Sequence, residues 1–411
     1  MSLKSTCLGC GAPLTRTLVD LGQQPLANAF VPPELVALPD ALYPLHARVC
    51  DCCLLVQVDR AVPRESIFNE SYAYFSSYSQ HWLDHCRNYV EIAIGRFNLS
   101  GASKVVEIAS NDGYMLQYLV AAGIPVLGIE PSANVANVAR AKGIPTEIAF
   151  FGQETAQRLV RDGHAADLIA CKNVLAHVPD INDFAAGLRE LLKPEGVCTI
   201  EFPHLLNLIQ KVQFDTIYHE HFTYLSVVAT DHIFARNGLR IFNIEEVPTH
   251  GGSLRISLCH ENAGHTPSSN VAMVRNREIA AKLDNANGYA DFSRHVEAIR
   301  ADFVTFLTTA KQQGKRIAGY GAAAKGNTLL NYCGVNSEQI AFVSDLNLAK
   351  QGTLLPGSRI SVTPPTAIAE FKPDYVLILP WNLRAEIMDQ LSFIRAWGGR
   401  FVTAIPEILV T

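Results

Sequence analysis

Lys104-Val105-Val106-Glu107-Ile108-Ala109-Ser110-Asn111-Asp112-Gly113 is the stretch on which the reading of the fold turns. Its first half is apolar enough for a buried strand and its second half is a turn. Tyr114-Met115-Leu116-Gln117-Tyr118-Leu119 then reads as a helix. Val126-Leu127-Gly128-Ile129-Glu130-Pro131 follows as a second strand ending in an acid. Strand, turn, helix and strand with a terminal carboxylate form the first half of a Rossmann-type unit, and Glu130 stands where ribose hydroxyls are bound. The turn has no G-x-G-x-x-G, which argues against a pyrophosphate on the helix start, as NAD needs. An acidic turn suits a ligand with cationic groups. S-adenosylmethionine carries an ammonium and a sulfonium, and no phosphate.

The pattern continues downstream. Asp167-Leu168-Ile169-Ala170-Cys171-Lys172-Asn173-Val174-Leu175-Ala176-His177 reads as a strand ending in a polar turn. Leu192-Lys193-Pro194-Glu195-Gly196-Val197-Cys198-Thr199-Ile200-Glu201-Phe202 reads as helix end, turn and strand. This order fits a class I methyltransferase sheet. A second series begins at Lys315, where Ile317-Ala318-Gly319-Tyr320-Gly321-Ala322-Ala323-Ala324-Lys325-Gly326-Asn327 reads as strand, Gly-rich turn and helix. Ala341-Phe342-Val343-Ser344-Asp345 and Tyr375-Val376-Leu377-Ile378-Leu379 are further strands, making a second Rossmann-like unit. Its turn has Gly and Lys in the wrong order for a P-loop. Small residues there let backbone approach a phosphate, and Lys325 adds charge, so the turn is read as the platform for a nucleotide diphosphate. Lys350 is a second candidate. For Lys325 the lesser alternative is a solvated helix-start lysine. His250-Gly251-Gly252-Ser253 is either a turn or a place where backbone passes close to a substrate.

The 411 residues are 48% hydrophobic and 18% charged, enough for two or three domains with proper cores. A net charge of −5 gives no reason to expect nucleic acid or an anionic membrane as partner. The apolar runs are strand-sized, so no transmembrane helix is expected. Met1-Ser2-Leu3-Lys4 leads straight to a cysteine pair without a signal-peptide core, and the protein is expected to be cytoplasmic. Ten cysteines then read as thiols or metal ligands. Cys7-Leu8-Gly9-Cys10 and Cys50-Asp51-Cys52-Cys53 are two C-x-x-C pairs, which fit a closed, structural zinc site with Cys7, Cys10, Cys50 and Cys53 as ligands. Cys52 is read as a bystander, and an exchange with Cys50 stays open.

Phe214-Asp215-Thr216-Ile217-Tyr218-His219-Glu220-His221-Phe222-Thr223-Tyr224 packs five proton-moving or hydrogen-bonding groups between apolar residues. An imidazole beside carboxylates is acid–base machinery. The alternative is a sheet edge with satisfied histidines.

Together these segments resemble the sugar C-methyltransferases that act on nucleotide-linked 4-keto-deoxysugars. The likeness rests on the paired C-x-x-C, Glu107–Gly113, Asn173–His177, the Tyr-His-Glu-His run, His250–Ser253 and Gly319–Gly326, and covers essentially the whole chain. It implies an α/β protein of three domains. These are a zinc-binding domain (1–70), a class I methyltransferase Rossmann-like domain (71–300) and a second Rossmann-like, nucleotide-sugar-binding domain (301–411). It implies S-adenosylmethionine and structural zinc as cofactors, and a monomer without nucleic acid or membrane partners. The cofactor residues would be Glu107, Asn111, Asp112, Gly113, Glu130, Asn173 and Ser77. The substrate residues would be Lys325, Asn327, Lys350, His250 and Tyr320. The catalytic residues would be His221 as base, Glu220, Tyr218, His177 and Tyr72, with Tyr74 competing for the last place. Two departures stand out: Ala109 where the family usually has Gly, and His219 where some members have Asp.

The implied chemistry removes a proton beside a ketone, and the enolate carbon takes the sulfonium methyl. C-3 is the expected carbon, and C-5, acidified by the same carbonyl, is the nearest alternative. Other readings are an NAD-dependent sugar-nucleotide oxidoreductase, a metal hydrolase using His219 and His221, and a non-enzymatic zinc-bearing scaffold.

Overall fold

A computed structural model describes residues 6–59 and 75–411. The chain opens with the antiparallel strands β1 (Arg16–Gln24), β2 (Tyr43–Val49) and β3 (Val56–Val58). The segment Cys50–Cys53 links β2 to β3. Next come β4 (Val105–Ile108), β5 (Val126–Ile129), β6 (Thr146–Glu147), β7 (Ala166–Lys172) and β8 (Leu192–Pro203), all parallel. Strand β9 (Thr223–Tyr224) leaves this unit and pairs with β3. Strands β10 (Leu239–Val247) and β11 (Ser253–His260) return to it.

The central sheet runs β10-β11-β8-β7-β4-β5-β6. Numbered within the sheet, that is 3-2-1-4-5-7-6 read from the β6 edge, with the seventh strand antiparallel to its neighbours. This is the class I methyltransferase order. Strands β4, β5 and β7 are buried along almost their whole lengths, as parallel strands covered on both faces must be. Strand order reverses between β4 and β7, which opens a crevice at their carboxyl ends.

The last unit holds β12 (Ile317–Tyr320), β13 (Val343–Ser344), β14 (Val362–Thr363), β15 (Tyr375–Ile378), β16 (Arg400–Thr403) and β17 (Leu409–Val410). Its order, β14-β13-β12-β15-β16-β17, is the Rossmann order 3-2-1-4-5-6, with β17 antiparallel. A second reversal lies between β12 and β15. The two units share one device. Glu130, after β5, accepts the Asn111 and Ser132 N–H groups at 3.0 and 2.9 Å. Asp345, after β13, accepts those of Ala322 and Asn347 at 2.7 and 2.8 Å.

The helix Phe292–Gln312 joins the central and last units, so the boundary expected at 300/301 falls inside a continuous helix. Its Phe292, Val296 and Phe303 share a core with Leu18, Leu45 and Val56 of the first sheet and with Leu329, Val343 and Leu377 of the last unit. The cysteine segments pack instead with Ile233, Phe234 and Leu225 of the central unit. The N-terminal sheet is therefore wedged between the other two units. Among the described residues no helix is long and apolar enough to cross a membrane.

The turn after β4 explains the departure at Ala109. Ala109, Asn111 and Gly113 all have positive φ, +58°, +49° and +78°. A left-handed alanine costs about 1–2 kcal/mol, and glycine's extra unfolded-state freedom returns roughly 0.5–1 kcal/mol of that. Ala109→Gly should therefore raise stability by about 0.5–1 kcal/mol in thermal unfolding. Gly113→Ala should do the opposite, because a Cβ there would lie 2.3 Å from Ile144 Cδ1.

Candidate active site

The two strand-order reversals face one cavity of about 430 Å³. The central unit lines it with Ala109, Asn111, Glu130, Lys172, Asn173 and His177, and the last unit with Ala323, Lys325, Lys350, Pro380 and Asn382. Tyr218, Glu220, His221 and His250 form the wall between them, and Asn28 of the N-terminal unit closes one side.

On the cofactor side the expected residues divide. Asn111, Glu130 and Asn173 line the cavity. Glu107, Asp112, Gly113 and Ser77 do not, because their atoms build the turn and its surroundings. Glu107 is fully buried in β4, and burial raises its carboxyl well above the ordinary range. Asn111 Oδ1 accepts the Ser76 N–H at 2.9 Å and Asp112 Oδ2 accepts that of Ser77 at 3.3 Å, so the turn ties down the segment that leads into the helix Gln80–Arg96. Asn173 has φ +54°, and its Oδ1 has no partner among the described residues. Glu130, Asn111 and Asn173 thus offer acceptors at the mouth of β4 and β7. That set fits the hydroxyls and ammonium of S-adenosylmethionine better than a pyrophosphate.

The Tyr-His-Glu-His run makes a turn that sets Tyr218, Glu220 and His221 on the cavity and His219 away from it. Tyr218 OH lies 2.8 Å from His221 Nε2, and His221 Nδ1 is 2.9 Å from the Thr216 carbonyl. The carbonyl can only accept, so Nδ1 carries the hydrogen and Nε2 accepts from the phenol. His177 Nδ1 donates to the Glu220 carbonyl at 2.7 Å, and the two imidazole rings meet with centroids 4.7 Å apart. Burial pushes His221 well below the ordinary imidazole range, and His177 adds to the effect. Burial brings His177 to about 4. Burial also raises Glu220 to about 7, against the opposing effects of the Asn28 amide and Lys350. His219 turns away from the cavity towards the Tyr43 ring, with 6.0 Å between centroids. It cannot share a metal there with His221, which removes the geometric basis of a His219–His221 hydrolase. Tyr72 and Tyr74 lie outside the described residues.

On the last unit, Lys325 donates to Asn382 Oδ1 at 2.7 Å and sits 4.5 Å from the centre of the Trp381 ring. Trp381 Nε1 in turn donates to Asp215 at 2.7 Å, and burial raises that carboxyl to about 6. Lys350 donates to the Ala322 carbonyl at 2.8 Å. Two expected substrate residues lie elsewhere. Tyr320 points to the opposite face of its strand, into a core with Phe342 and Ile378, where its hydroxyl meets Gln390. Asn327 is buried and donates to the Ala27 carbonyl at 2.6 Å, bracing the N-terminal unit.

His250 reaches the cavity from a turn with φ +54°. Burial lowers it to about 4. The turn is held from below by Glu201, which accepts Thr249 Oγ1 at 3.1 Å. Glu201 also binds Lys172, Arg255 and His85 at 3.0, 3.0 and 2.8 Å. Burial would raise this carboxyl, but Lys172, His85 and Arg255 outweigh it and hold it well below the usual range. Trp82 stacks on His85 and meets His250 edge-on. Asn28, Lys172, Trp82 and Asn382 are site residues that sequence reasoning missed. Each is a single residue in an otherwise structural segment, with no spacing to announce it.

The four predicted zinc ligands converge. Their Sγ atoms lie within 4.8 Å of one another, with Cys7–Cys53 at 3.4 Å and Cys10–Cys50 at 3.5 Å. Thiolates about 2.3 Å from a tetrahedral zinc stand roughly 3.8 Å apart, so the set fits the ion. Cys52 is exposed and outside the cluster.

Known proteins agree with this geometry. Family models match in three consecutive parts: a zinc binding domain over residues 7–68, a methyltransferase domain over 81–244, and the C-methyltransferase C-terminal domain over 248–406. The join between the last two falls between β10 and β11, although both strands belong to the central sheet. The C-methyltransferase NovU of Streptomyces niveus is 34% identical over 401 residues, covering 98% of this chain and 95% of that protein. A ubiquinone biosynthesis O-methyltransferase of Haemophilus ducreyi is 29% identical over 100 residues, 23% of this chain and 42% of that protein. Among solved structures, magnesium protoporphyrin IX methyltransferase (ChlM) of Synechocystis PCC 6803 with bound S-adenosylmethionine has 14% identity and a TM-score of 0.37. It covers 49% of this chain and 99% of that one. Fold, site and domain matches define an S-adenosylmethionine-dependent methyltransferase with a structural zinc site. The near full-length match makes the assignment narrower: the chain belongs to the C-methyltransferase family.

Two outcomes follow from the geometry. Cys53→Ala should lower zinc, measured by plasma mass spectrometry, from one ion per chain towards none. It should also speed hydrogen exchange in peptides covering residues 216–226, because β3 would lose the segment that anchors it. Glu201→Gln leaves Lys172, whose side chain is only 2% exposed, without its counter-charge and Arg255 with Glu245 alone, and should cost about 3–5 kcal/mol. Because the folded carboxyl is depressed, the stability it supplies is present above its unfolded value. It is lost as pH falls through the lower folded value.

Proposed function

We propose that this enzyme methylates C-3 of a nucleotide-linked 4-keto-6-deoxysugar, with dTDP as the carrier, through an enolate formed by His221. The observation that carries the reading is the Tyr218–His221 pair at the cavity, with Nδ1 bound to a carbonyl and Nε2 turned to the phenol. Such an imidazole is neutral, and its Nε2 can take a proton once the Tyr218 hydroxyl turns from it to the substrate oxygen. Its depressed basicity shifts more of the task onto stabilising the enolate oxygen, for which Tyr218 and Tyr72 are the candidates. His177, whose one N–H is taken by the Glu220 carbonyl, is a candidate for positioning the sugar by accepting a hydroxyl at Nε2. Lys325 and Lys350 offer cationic groups for the diphosphate on the facing unit. S-adenosylmethionine supplies the electrophilic methyl when bound, with Glu130, Asn111 and Asn173 as the residues to hold it. Similarity to a named C-methyltransferase supports carbon rather than oxygen as the acceptor.

The deciding experiment is mass spectrometry of dTDP-4-keto-6-deoxyglucose incubated with enzyme in deuterated water. With S-adenosylmethionine the sugar should gain one methyl. Without it, deuterium should enter at C-3. Entry at C-5 would move the reaction to the other side of the ketone, and neither gain nor exchange would overturn this substrate. His221→Ala should slow exchange by about 10²–10⁴-fold. In Glu220→Gln the profile of kcat/KM should be flat through the ordinary imidazole range, about pH 6.5, because His221 is already unprotonated there. A surviving limb at that pH would show that burial does not hold the basic imidazole below its ordinary range; normal exchange in His221→Ala would refute His221 as base.

A further inference from the structure

The loop between β1 and β2 delivers Asn28 to the cavity wall, where its Nδ2 donates to Glu220 Oε1 at 2.6 Å. Asn28 is exposed as well as cavity-facing, so its placement rests on the loop's backbone, and that backbone is pinned from the last unit. Asn327 holds the Ala27 carbonyl. Val31 and Leu354 exchange both backbone hydrogen bonds, at 2.9 and 2.8 Å. Asp40 further along the loop accepts the Gly357 N–H at 2.7 Å and pairs with Arg359 at 3.1 Å.

The direction of the Asn28 bond has a chemical consequence. An amide nitrogen can only donate, so Oε1 of Glu220 must stay an acceptor whether the carboxyl is ionised or neutral. Any proton on Glu220 then resides on Oε2, since the bond from Asn28 engages Oε1. We infer that Asn28, supplied by the zinc-bearing unit, is a positioning residue that fixes Oε2 as the proton-bearing oxygen of Glu220 and so aims one O–H into the substrate cavity. Lys350, the other group acting on this carboxyl, pulls towards the ionised form. Glu220 can thereby give a hydrogen bond to a sugar oxygen when neutral and take one from a sugar hydroxyl when ionised. This inference rests on the cavity being the substrate site proposed above.

The test needs no substrate, so it is independent of which sugar the enzyme uses. Infrared difference spectra of the zinc-loaded protein, recorded from roughly pH 5 to pH 9, should contain a protonated-carboxyl band that Glu220→Gln removes. In Asn28→Ala the midpoint of that band should rise by about one pH unit or more, since a hydrogen bond favouring the ionised form is lost. Its carbonyl stretch should move to higher frequency as Oε1 loses its donor. Asn28→Asp should raise the midpoint further, by adding a like charge. Unchanged zinc content and thermal midpoint would show that each variant is folded, and Asn28→Ser replaces Asn28→Ala if that variant is not. An unaltered band in a folded variant would overturn the inference, as would the absence of any Glu220-dependent band. Loss of methyl transfer with one sugar nucleotide would bear on the substrate proposal and leave this outcome standing.

Discussion

Two residues, Thr223 and Tyr224, are the hinge on which the site depends. They leave the central unit immediately after His221 and pair with Val56 and Gln57 of β3. Val58 N–H also donates to the Phe222 carbonyl, while Phe222 N–H donates to that of Ala176. The Tyr-His-Glu-His run is thus clamped between the N-terminal sheet and the turn that carries His177. A two-residue strand has little strength alone. It holds because β3 is tied to β2 through Cys50–Cys53 and because both faces are buried.

The same constraint explains why zinc belongs in an enzyme whose chemistry makes no demand on it. The ion's ligands stand outside the cavity, yet they organise the turn from which β3 starts. Around the cavity, both Rossmann-like units contribute their crevices and the N-terminal unit contributes an amide. The geometry of the candidate site is a property of three bodies packed together, each holding groups that another body presents.

Most of the architecture could be read from local patterns. The strand–turn–helix at Lys104–Leu119, its counterpart at Ile317–Asn327 and the paired C-x-x-C motifs each signal structure within a short window, and each forms as expected. The lining of the candidate site was legible where titratable groups are concentrated, as in Tyr218, Glu220 and His221. Reading failed where orientation decides. Tyr320 enters the Phe342 core from its strand, and His219, inside the turn closed by the His221 N–H on the Tyr218 carbonyl, faces Tyr43 while its neighbours face the cavity. Asn327 likewise faces the N-terminal loop. Asn28 and Lys172 act across contacts of high sequence separation, 192 residues in the case of Asn28 and Glu220, and no local pattern encodes such a meeting. The helix Phe292–Gln312 conceals a boundary because one continuous helix serves two cores.

The pairing of β3 with β9 also orders events during synthesis. The cysteines are complete by residue 53, so the zinc knuckle can close while the ribosome is still making the central unit. Strand β3 then waits, with one edge unpaired, until residues 223–224 emerge, and the loop at Asn28 waits longer still for Asn327 and Leu354. Exposed edges are where nascent chains pair wrongly. A metal ion bound early would hold the knuckle beside this edge through that interval, so that a segment made before the central unit finds its place after it.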